Sequence, residues 1–208
     1  MFVAALNGSP NKMGNTYLAL SEVCAVLNSE KIDTEILHIG GHNGPGCIGC
    51  NMCLEKKRCV LNDDQGSEWI EKISAADGII LGAPAYFGSM PGPLKSFLDR
   101  LFFQDRERHN MRYKVGAALT VLRRSGSRTT LDDLTRFFHS SEILIAPSAN
   151  IPAIHGTRPG EILQDTEGMD ALRKLGTSIA WLLKVLEKAK SELPFPEFSE
   201  RVFMNFIR

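Results

Sequence analysis

This 208-residue chain has no net charge and no long hydrophobic run, and both absences limit what it can bind. Its 24 basic and 24 acidic residues cancel, so no net charge favours nucleic acid or an anionic membrane surface as a partner. No apolar run approaches the roughly 20 residues that a membrane-spanning helix needs. The N-terminal stretch also lacks the basic region and the long apolar core of a signal peptide. We therefore expect a soluble cytoplasmic protein that binds neither nucleic acid nor membrane.

The chain is also too short for two sizeable cores, and it contains no internal repeat. With 43% hydrophobic and 23% charged residues, its composition is that of a globular protein and not of a disordered chain. We predict one domain over residues 1–192 with a cysteine-rich insertion at 40–64, followed by an aromatic C-terminal tail at 193–208.

Short apolar segments alternate with amphipathic segments along this domain. Nearly continuous apolar runs, which predict strands, occur at 2–6, 34–39, 78–81, 115–122 and 142–146. Helical spacing of apolar residues occurs at 15–27, 69–75, 91–103, 131–138 and 168–190. Strands this apolar are typical of a parallel sheet that helices cover on both faces. The pattern predicts a flavodoxin-like α/β sandwich of three layers, with five parallel strands in the order 2-1-3-4-5 and ligands bound beyond their carboxyl ends.

The loop after the first predicted strand has the composition of a phosphate-binding turn. Residues 8–16 read Gly-Ser-Pro-Asn-Lys-Met-Gly-Asn-Thr and lead directly into a predicted helix. Short polar side chains and the N–H groups of a helix N-terminus are what a phosphate dianion requires. The spacing in this loop matches neither a P-loop nor the dinucleotide fingerprint. The alternative is an ordinary tight polar turn.

A second candidate loop follows the third predicted strand. Residues 82–95 are rich in Gly and Pro and contain the adjacent aromatics Tyr86 and Phe87. Two aromatic side chains in such a loop could flank a planar ring while exposed backbone amides bind the polar edge of that ring. In the alternative interpretation they pack against the following helix, and this applies to Phe87 more than to Tyr86.

Four of the five cysteines lie close together, in the pattern C-x2-C-x2-C-x5-C formed by Cys47, Cys50, Cys53 and Cys59. Closely spaced thiolates suit an iron–sulfur cluster, and the last gap is longer than in the ferredoxin run, whose fourth Cys serves a second cluster. Zinc suits the pattern less well, because structural zinc sites usually join two separated Cys/His pairs. A metal-free set of redox-active thiols is a third interpretation.

Together these segments resemble the NADPH-dependent FMN reductase family. The resemblance is carried by Asn7-Gly8-Ser9-Pro10 and Gly14-Asn15-Thr16, then by Pro84-x-Tyr86-Phe87-Gly88-Ser89-Met90 with Leu94-Lys95 and Asp99-Arg100. It spans residues 1 to about 150. Within that family, the cysteine pattern followed by Asp63-Asp64 is most similar to the iron–sulfur flavoproteins.

The resemblance implies FMN as a cofactor and names the residues that would bind it. The residues implied to surround the FMN phosphate are Ser9, Asn11, Gly14, Asn15 and Thr16. Those implied to line the isoalloxazine ring are Pro84, Ala85, Tyr86, Phe87, Gly88 and Ser89. The resemblance also implies a [4Fe-4S] cluster on the four cysteines, and a homodimer or homotetramer.

We therefore expect an FMN-dependent oxidoreductase that transfers electrons between NAD(P)H or a ferredoxin-like donor and an acceptor, with the cluster as a one-electron relay. No catalytic acid–base pair is required, because the flavin carries the chemistry. Two alternatives are an NAD(P)H:FMN or quinone reductase without a cluster, and a non-enzymatic flavodoxin-like electron carrier.

Two further features carry weaker signals. Arg123 and Arg124 follow the fourth predicted strand, where the family usually has glycines and small polar residues, and their role is left open. His155 could border the flavin, although a lone His in a Gly- and Pro-rich loop is more often a surface residue.

The aromatic tail contains Phe195, Phe198, Phe203 and Phe206. We expect this much aromatic surface to pack on another subunit. The alternative is that the tail folds back on its own domain.

Overall fold

A computed structural model describes residues 1–61, 64–106, 108–197 and 204 of the chain. The strands are β1 (Phe2–Asn7), β2 (Asp33–Leu37), β3 (Gly78–Pro84), β4 (Val115–Leu122), β5 (Leu144–Ile145) and β6 (Ala153–His155). The α-helices are α1 (Asn15–Ser29), α2 (Met52–Lys56), α3 (Asp64–Ala75), α4 (Gly92–Asp105), α5 (Ser127–Ser140) and α6 (Thr166–Ala189). Two short 3-10 turns are formed by Ile39–Gly41 and Glu161–Gln164. None of these helices is both long enough and apolar enough to cross a bilayer.

The sheet is parallel throughout and has the strand order β2-β1-β3-β4-β5. Successive side chains of β1 alternate between two cores: Val3 and Ala5 pack with α1 and α6, and Ala4 and Leu6 pack with α3, α4 and α5. Because both faces of the sheet are buried, its central strands are apolar at almost every position, and their polar residues Asn7 and Thr120 are buried as well. The flavodoxin-like sandwich that the sequence predicts is confirmed.

The fifth position of the sheet differs from the prediction of a single strand over 142–146. β5 pairs only with Val115–Gly116 at the start of β4, and β6 pairs with Thr120–Leu122 at its end. Between them, residues 146–152 include Pro147 and Pro152, which cannot donate a hydrogen bond to a neighbouring strand. The chain therefore leaves the edge of the sheet and returns as β6, a strand that the sequence analysis assigned to a loop.

The cysteine-rich insertion is mostly irregular, as predicted, but it contains the one-turn helix α2. The residues that flank this helix, Asn51 and Lys57, both have positive φ, of 59° and 55°. A residue in the left-handed conformation cannot continue a right-handed helix, so the chain changes direction there. The insertion therefore bends sharply on both sides of α2, which brings cysteines before and after the helix toward each other.

The start of the aromatic tail folds back on its own domain. The Phe195 ring stacks on Tyr113, with ring centroids 4.9 Å apart, and the Arg112 guanidinium donates to the Pro196 carbonyl at 3.3 Å. These contacts match the alternative interpretation for residues 193–197. The predicted contributions of Phe198, Phe203 and Phe206 lie outside the described residues.

The Asp165 side chain links β6 to the start of α6 through hydrogen bonds. Its carboxylate accepts hydrogen bonds from the His155 N–H at 2.8 Å and from the Gly168 N–H at 2.9 Å, and the second bond caps α6. Partial burial raises the pKa of Asp165, but the hydrogen bonds outweigh this and hold the pKa below its usual value. A carboxyl with a lowered folded-state pKa stabilises the fold above its unfolded-state pKa, and this contribution is lost as pH falls through the folded-state value.

We expect Asp165→Ala to lower the free energy of unfolding by about 1–2 kcal/mol at pH 7, the usual cost of losing a helix N-cap. The difference from wild type should shrink as pH falls below about 4, because the wild-type carboxyl then becomes protonated. Urea unfolding across this pH range measures both effects, with the exposed Asp132→Ala as the control. A difference that does not change with pH would contradict the assignment.

Candidate functional site

The loop after β1 is held in shape by its own polar groups. The buried Asn7 side chain accepts a hydrogen bond from the Ser9 N–H at 3.0 Å and donates one to the Lys12 carbonyl at 3.1 Å. The Ser9 hydroxyl oxygen accepts from the Asn11 N–H at 3.2 Å. These bonds fix the backbone of the loop. Asn7 therefore positions the candidate phosphate site, a role that the sequence analysis did not assign to it.

The N-terminus of α1 has the properties of an anion site. Its N-cap residue is Gly14, and no side chain caps the helix or places a carboxylate in its first turn. The first-turn N–H groups of a helix have no partner within the helix and favour negative charge. Ser9 and Thr16, both buried, add short neutral side chains to this end of α1. These residues fit the phosphate group that the sequence predicts.

Asn15, which the resemblance also places at the phosphate, is the first residue of α1, and its side chain contacts another loop. Its side-chain amide donates to the Arg158 carbonyl at 2.9 Å and accepts from the Gly160 N–H at 2.8 Å. The side chain thus ties the first residue of α1 to the loop that follows β6. Asn11, the other predicted amide, is exposed. Asn15 therefore supports the site by holding a neighbouring loop in place.

The 3-10 turn after β2 packs tightly against the same loop. A Cβ atom on Gly40 would lie 2.2 Å from the Ser9 carbonyl oxygen, a separation that no other residue type allows without movement of the backbone. His38 Nε2 lies 2.9 Å from that same oxygen. The sequence analysis singled out neither residue. A glycine at the edge of the cysteine-rich insertion was the only signal available.

The second candidate loop forms a tight reverse turn directly after β3. The Tyr86 N–H donates to the Ser89 carbonyl at 2.8 Å, and the Ser89 N–H donates to the Tyr86 carbonyl at 3.0 Å. The two central residues, Phe87 and Gly88, have positive φ of 52° and 79°, as a type I′ turn requires. Phe87 is fully exposed and Tyr86 is about half exposed, at 46%. The alternative that Phe87 packs against the following helix is therefore wrong.

The loop after β4 supports this turn from one side. Gly126 has a φ of 96°, and a Cβ atom on it would lie 3.0 Å from Gly88 Cα, so a larger residue would push the turn away. The Ser89 hydroxyl donates to the Asp133 carboxylate on α5, which fixes the end of the turn. Arg123 and Arg124 lie exposed in the same loop after β4, where no contact with the described part of the chain assigns them a role.

The two predicted loops meet at one edge of the sheet. β1 and β3 are adjacent parallel strands, with Asn7 paired with Gly82, and the Gly8 N–H donates to the Gly82 carbonyl at 2.8 Å. The loops therefore leave neighbouring strands at their carboxyl ends, where open α/β sheets bind ligands. The structure thus brings together the phosphate-type and ring-type segments that the sequence predicts.

The four clustered cysteines line a single small cavity between the insertion and α4. Cys47, Cys50, Cys53 and Cys59 share this cavity with three residues of α4, which are Arg100, Phe103 and Gln104. All four cysteines have free thiols; Cys53 is buried and Cys50 is exposed. Burial raises the pKa of the Cys53 thiol. Within the described ranges, no three His, Cys, Asp or Glu side chains are close enough to hold a single metal ion.

Two buried polar residues of α4 hold the ends of the segment that carries the cysteines. The Arg100 guanidinium lies 3.2 Å from the Leu61 carbonyl oxygen and 3.5 Å from that of Pro45. Gln104 accepts a hydrogen bond from the Cys59 N–H at 2.7 Å. The two side chains are four residues apart and so project from the same face of the helix. In the sequence, both are polar residues at positions where an otherwise apolar helix face would be buried. A polar side chain buried there needs a compensating hydrogen-bond partner.

Removing the Arg100 side chain provides a test of this support. We expect Arg100→Met to lower the free energy of unfolding by about 1–3 kcal/mol, because two carbonyls lose a charged donor. Trypsin should also cleave faster after Lys56, Lys57 or Arg58, which lie in the segment that Arg100 holds. Urea unfolding and mass spectrometry of timed digests measure the two effects. The exposed Arg128→Met is the control, and a digestion pattern equal to that of this control would contradict the role of Arg100.

Comparisons of sequence agree with this geometry. A sequence model of the NADPH-dependent FMN reductase family matches residues 1–156. An iron–sulfur flavoprotein of Methanocaldococcus jannaschii is 36% identical over 203 residues, which cover 90% of this chain and 100% of that protein. A second iron–sulfur flavoprotein, from Methanosarcina thermophila, is 29% identical over 195 residues, covering 92% of this chain and 100% of that protein.

Comparisons of structure give the same fold. RosB with a bound 8-demethyl-8-formylriboflavin-5′-phosphate intermediate matches with a TM-score of 0.72 and 16% identity, covering 100% of this chain and 93% of that chain. At this identity the match concerns the fold alone. The family match, the two relatives and the arrangement of the loops together show that the chain belongs to the NADPH-dependent FMN reductase family, among the iron–sulfur flavoproteins, and is an FMN-dependent oxidoreductase.

Proposed function

We propose that this oxidoreductase exchanges electrons with one-electron carriers of the ferredoxin type through a [4Fe-4S] cluster bound by Cys47, Cys50, Cys53 and Cys59. The observation that carries the proposal is that all four of these cysteines line one cavity. A [4Fe-4S] cluster is held by four cysteine thiolates. The names of the two relatives, both iron–sulfur flavoproteins, support the same assignment.

The surroundings of the four thiols favour a cluster over the two alternatives. The described residues that line the cavity include no histidine, which is common among structural zinc ligands. A redox-active thiol normally lies in an exposed, electropositive environment that lowers its pKa, whereas Cys53 is buried. On the side of α4, the cavity is closed by the Phe103 ring and by the buried side chains of Arg100 and Gln104. Such a shell limits access of water to a cluster.

The residues proposed to bind FMN divide into two groups. The N–H groups at the start of α1, with the Ser9 and Thr16 side chains, would bind the phosphate without a lysine. Backbone amides and the Tyr86 ring in the turn after β3 would line the isoalloxazine. FMN supplies both two-electron and one-electron chemistry when bound, which is why it can join a pyridine nucleotide to a one-electron carrier.

The donor, the assembly and the location are part of the same proposal. We propose NAD(P)H as a reductant because the matched family is NADPH-dependent. The fully exposed Phe87 ring supports a homodimer or homotetramer, since a large exposed aromatic usually marks an interaction site. A reducing cytoplasm suits four unpaired thiols.

The visible spectrum of protein purified without oxygen tests this function. We expect flavin bands together with a broad iron–sulfur shoulder, and bleaching of the flavin bands when NADPH is added in a stopped-flow instrument. Flavin bands that bleach without any shoulder, and with no bound iron or sulfide, would instead indicate an FMN reductase without a cluster. Flavin bands that NADPH does not bleach would contradict the proposed donor and favour a flavodoxin-like carrier.

A further inference from the structure

We propose that Gln104 tunes this cluster by donating a hydrogen bond from its side-chain amide to a sulfur atom within the cysteine-lined cavity. The bond would favour the reduced state of the cluster. This inference rests on the proposed function, because it requires the cluster to be present.

The orientation of the Gln104 amide follows from its contact with the insertion. The side chain is 3% exposed, and its Oε1 atom lies 2.7 Å from the Cys59 backbone nitrogen. A backbone N–H can only donate a hydrogen bond, so the atom that faces it must be the amide oxygen. The Nε2 group is therefore held away from Cys59 N and cannot exchange places with the oxygen without loss of that bond.

The Nε2 group itself has no hydrogen-bond partner among the described residues, although it is fully buried. An unsatisfied buried donor is costly, and native structures usually provide an acceptor for such a group. Gln104 lines the same cavity as the four cysteine thiols. A bound cluster would place thiolate and sulfide sulfurs there, and these accept hydrogen bonds. Gln104 also borders a second cavity, between residues 56–59 and α3. A ligand in the cysteine-lined cavity would supply the acceptor that the unpaired amide lacks.

The charge surrounding the cavity acts in the same direction. A cluster with four thiolates carries negative charge, and its reduction adds one more electron. The Gln104 N–H dipole would stabilise that added charge, and so would the buried guanidinium of Arg100, which lines the same cavity. Hydrogen bonds to sulfur and nearby charge are among the factors that set cluster potentials. Loss of the amide should therefore make the cluster harder to reduce.

The test compares Gln104→Met with Gln65→Met after anaerobic reconstitution of the full chain. Gln65 is exposed at the start of α3 and is not among the residues that line the cavity, so the control makes the same chemical change outside it. Iron and sulfide are measured first, and the midpoint potential of the cluster is then measured by a redox titration followed by EPR.

We expect Gln104→Met to bind as much iron as wild type but to have a midpoint potential more negative by roughly 59 mV, a tenfold change in a one-electron equilibrium. Gln65→Met should keep the wild-type potential. Full iron content with an unchanged potential in Gln104→Met would overturn the inference. A wild type that binds no iron would overturn the proposed function and this inference with it.

A second measurement uses wild-type protein and does not depend on whether Gln104→Met folds. Side-chain ¹⁵N labelling of glutamine, followed by pulsed EPR of the reduced cluster, should detect coupling to one amide nitrogen. The coupling should persist in Gln65→Met. Absence of any coupling in a fully loaded cluster would overturn the inference, as would its loss in Gln65→Met.

Discussion

Anaerobically reconstituted Cys53→Ala protein is expected to contain almost no iron, compared with about four atoms per chain in wild type. Cys53 is the one buried thiol of the four that line the cavity. Water can replace a lost ligand at an exposed corner of a cluster, but it reaches a buried corner poorly. Loss of this thiol should therefore be more damaging than loss of the exposed Cys50.

The measurement is iron and sulfide content together with the visible spectrum of both proteins. Cys24→Ala is the matched control, because Cys24 is equally buried but lies on α1, within the core on the other face of the sheet. Both variants should retain FMN, since neither residue lies in the loops proposed to bind it. Equal iron in Cys53→Ala and wild type would show that Cys53 does not bind a cluster. If both proteins contain almost no iron, the FMN reductase function would stand without a cluster.

The second large effect concerns FMN affinity. The double variant Ser9→Ala with Thr16→Val removes both buried hydroxyl groups near the start of α1 and changes side-chain size very little. A hydrogen bond to a charged group contributes about 1.5–3 kcal/mol. If the two bonds add, the double variant should bind FMN about two to four orders of magnitude more weakly.

Quenching of flavin fluorescence during titration of the FMN-free protein measures this affinity. Thr16→Ser keeps the hydroxyl group and should remain close to wild type. Asn15→Ala should have a smaller effect, because both ends of its amide bond the loop after β6. An unchanged affinity in the double variant would remove Ser9 and Thr16 from the phosphate site. The backbone N–H groups of α1 would then be its remaining donors.

The contrast between Asn15 and Thr16 shows how far sequence patterns reach into this site. Composition indicated a polar turn between β1 and α1, because Gly, Ser, Asn and Thr are the residues that such a turn needs. Composition could not distinguish a side chain that is free to bind a ligand from one that is already hydrogen-bonded within the protein. The partners of Asn15 are Arg158 and Gly160, which follow it by more than 140 residues.

The fifth strand shows the same limit within the fold. An apolar run at 142–146 correctly indicated a strand at the edge of the sheet, although only Leu144–Ile145 form it. β6 has three residues and carries no periodic pattern long enough to detect. Its place is set by hydrogen bonds to β4 and by the Asp165 carboxylate.

The sequence by itself determined the alternation of the main strands and helices, the parallel sheet, the polar loops after β1 and β3, and the grouping of the cysteines, but it did not predict α2 or β6. Each feature that it determined depends on patterns within short stretches of chain, such as apolar periodicity, turn residues and cysteine spacing. Only the tertiary structure decided what supports the candidate sites. Arg100 and Gln104 reach the cysteine-lined cavity across about 40 residues or more, and Gly126 packs on Gly88 from a different loop. Such contacts depend on which segments fold side by side, and no local pattern encodes that.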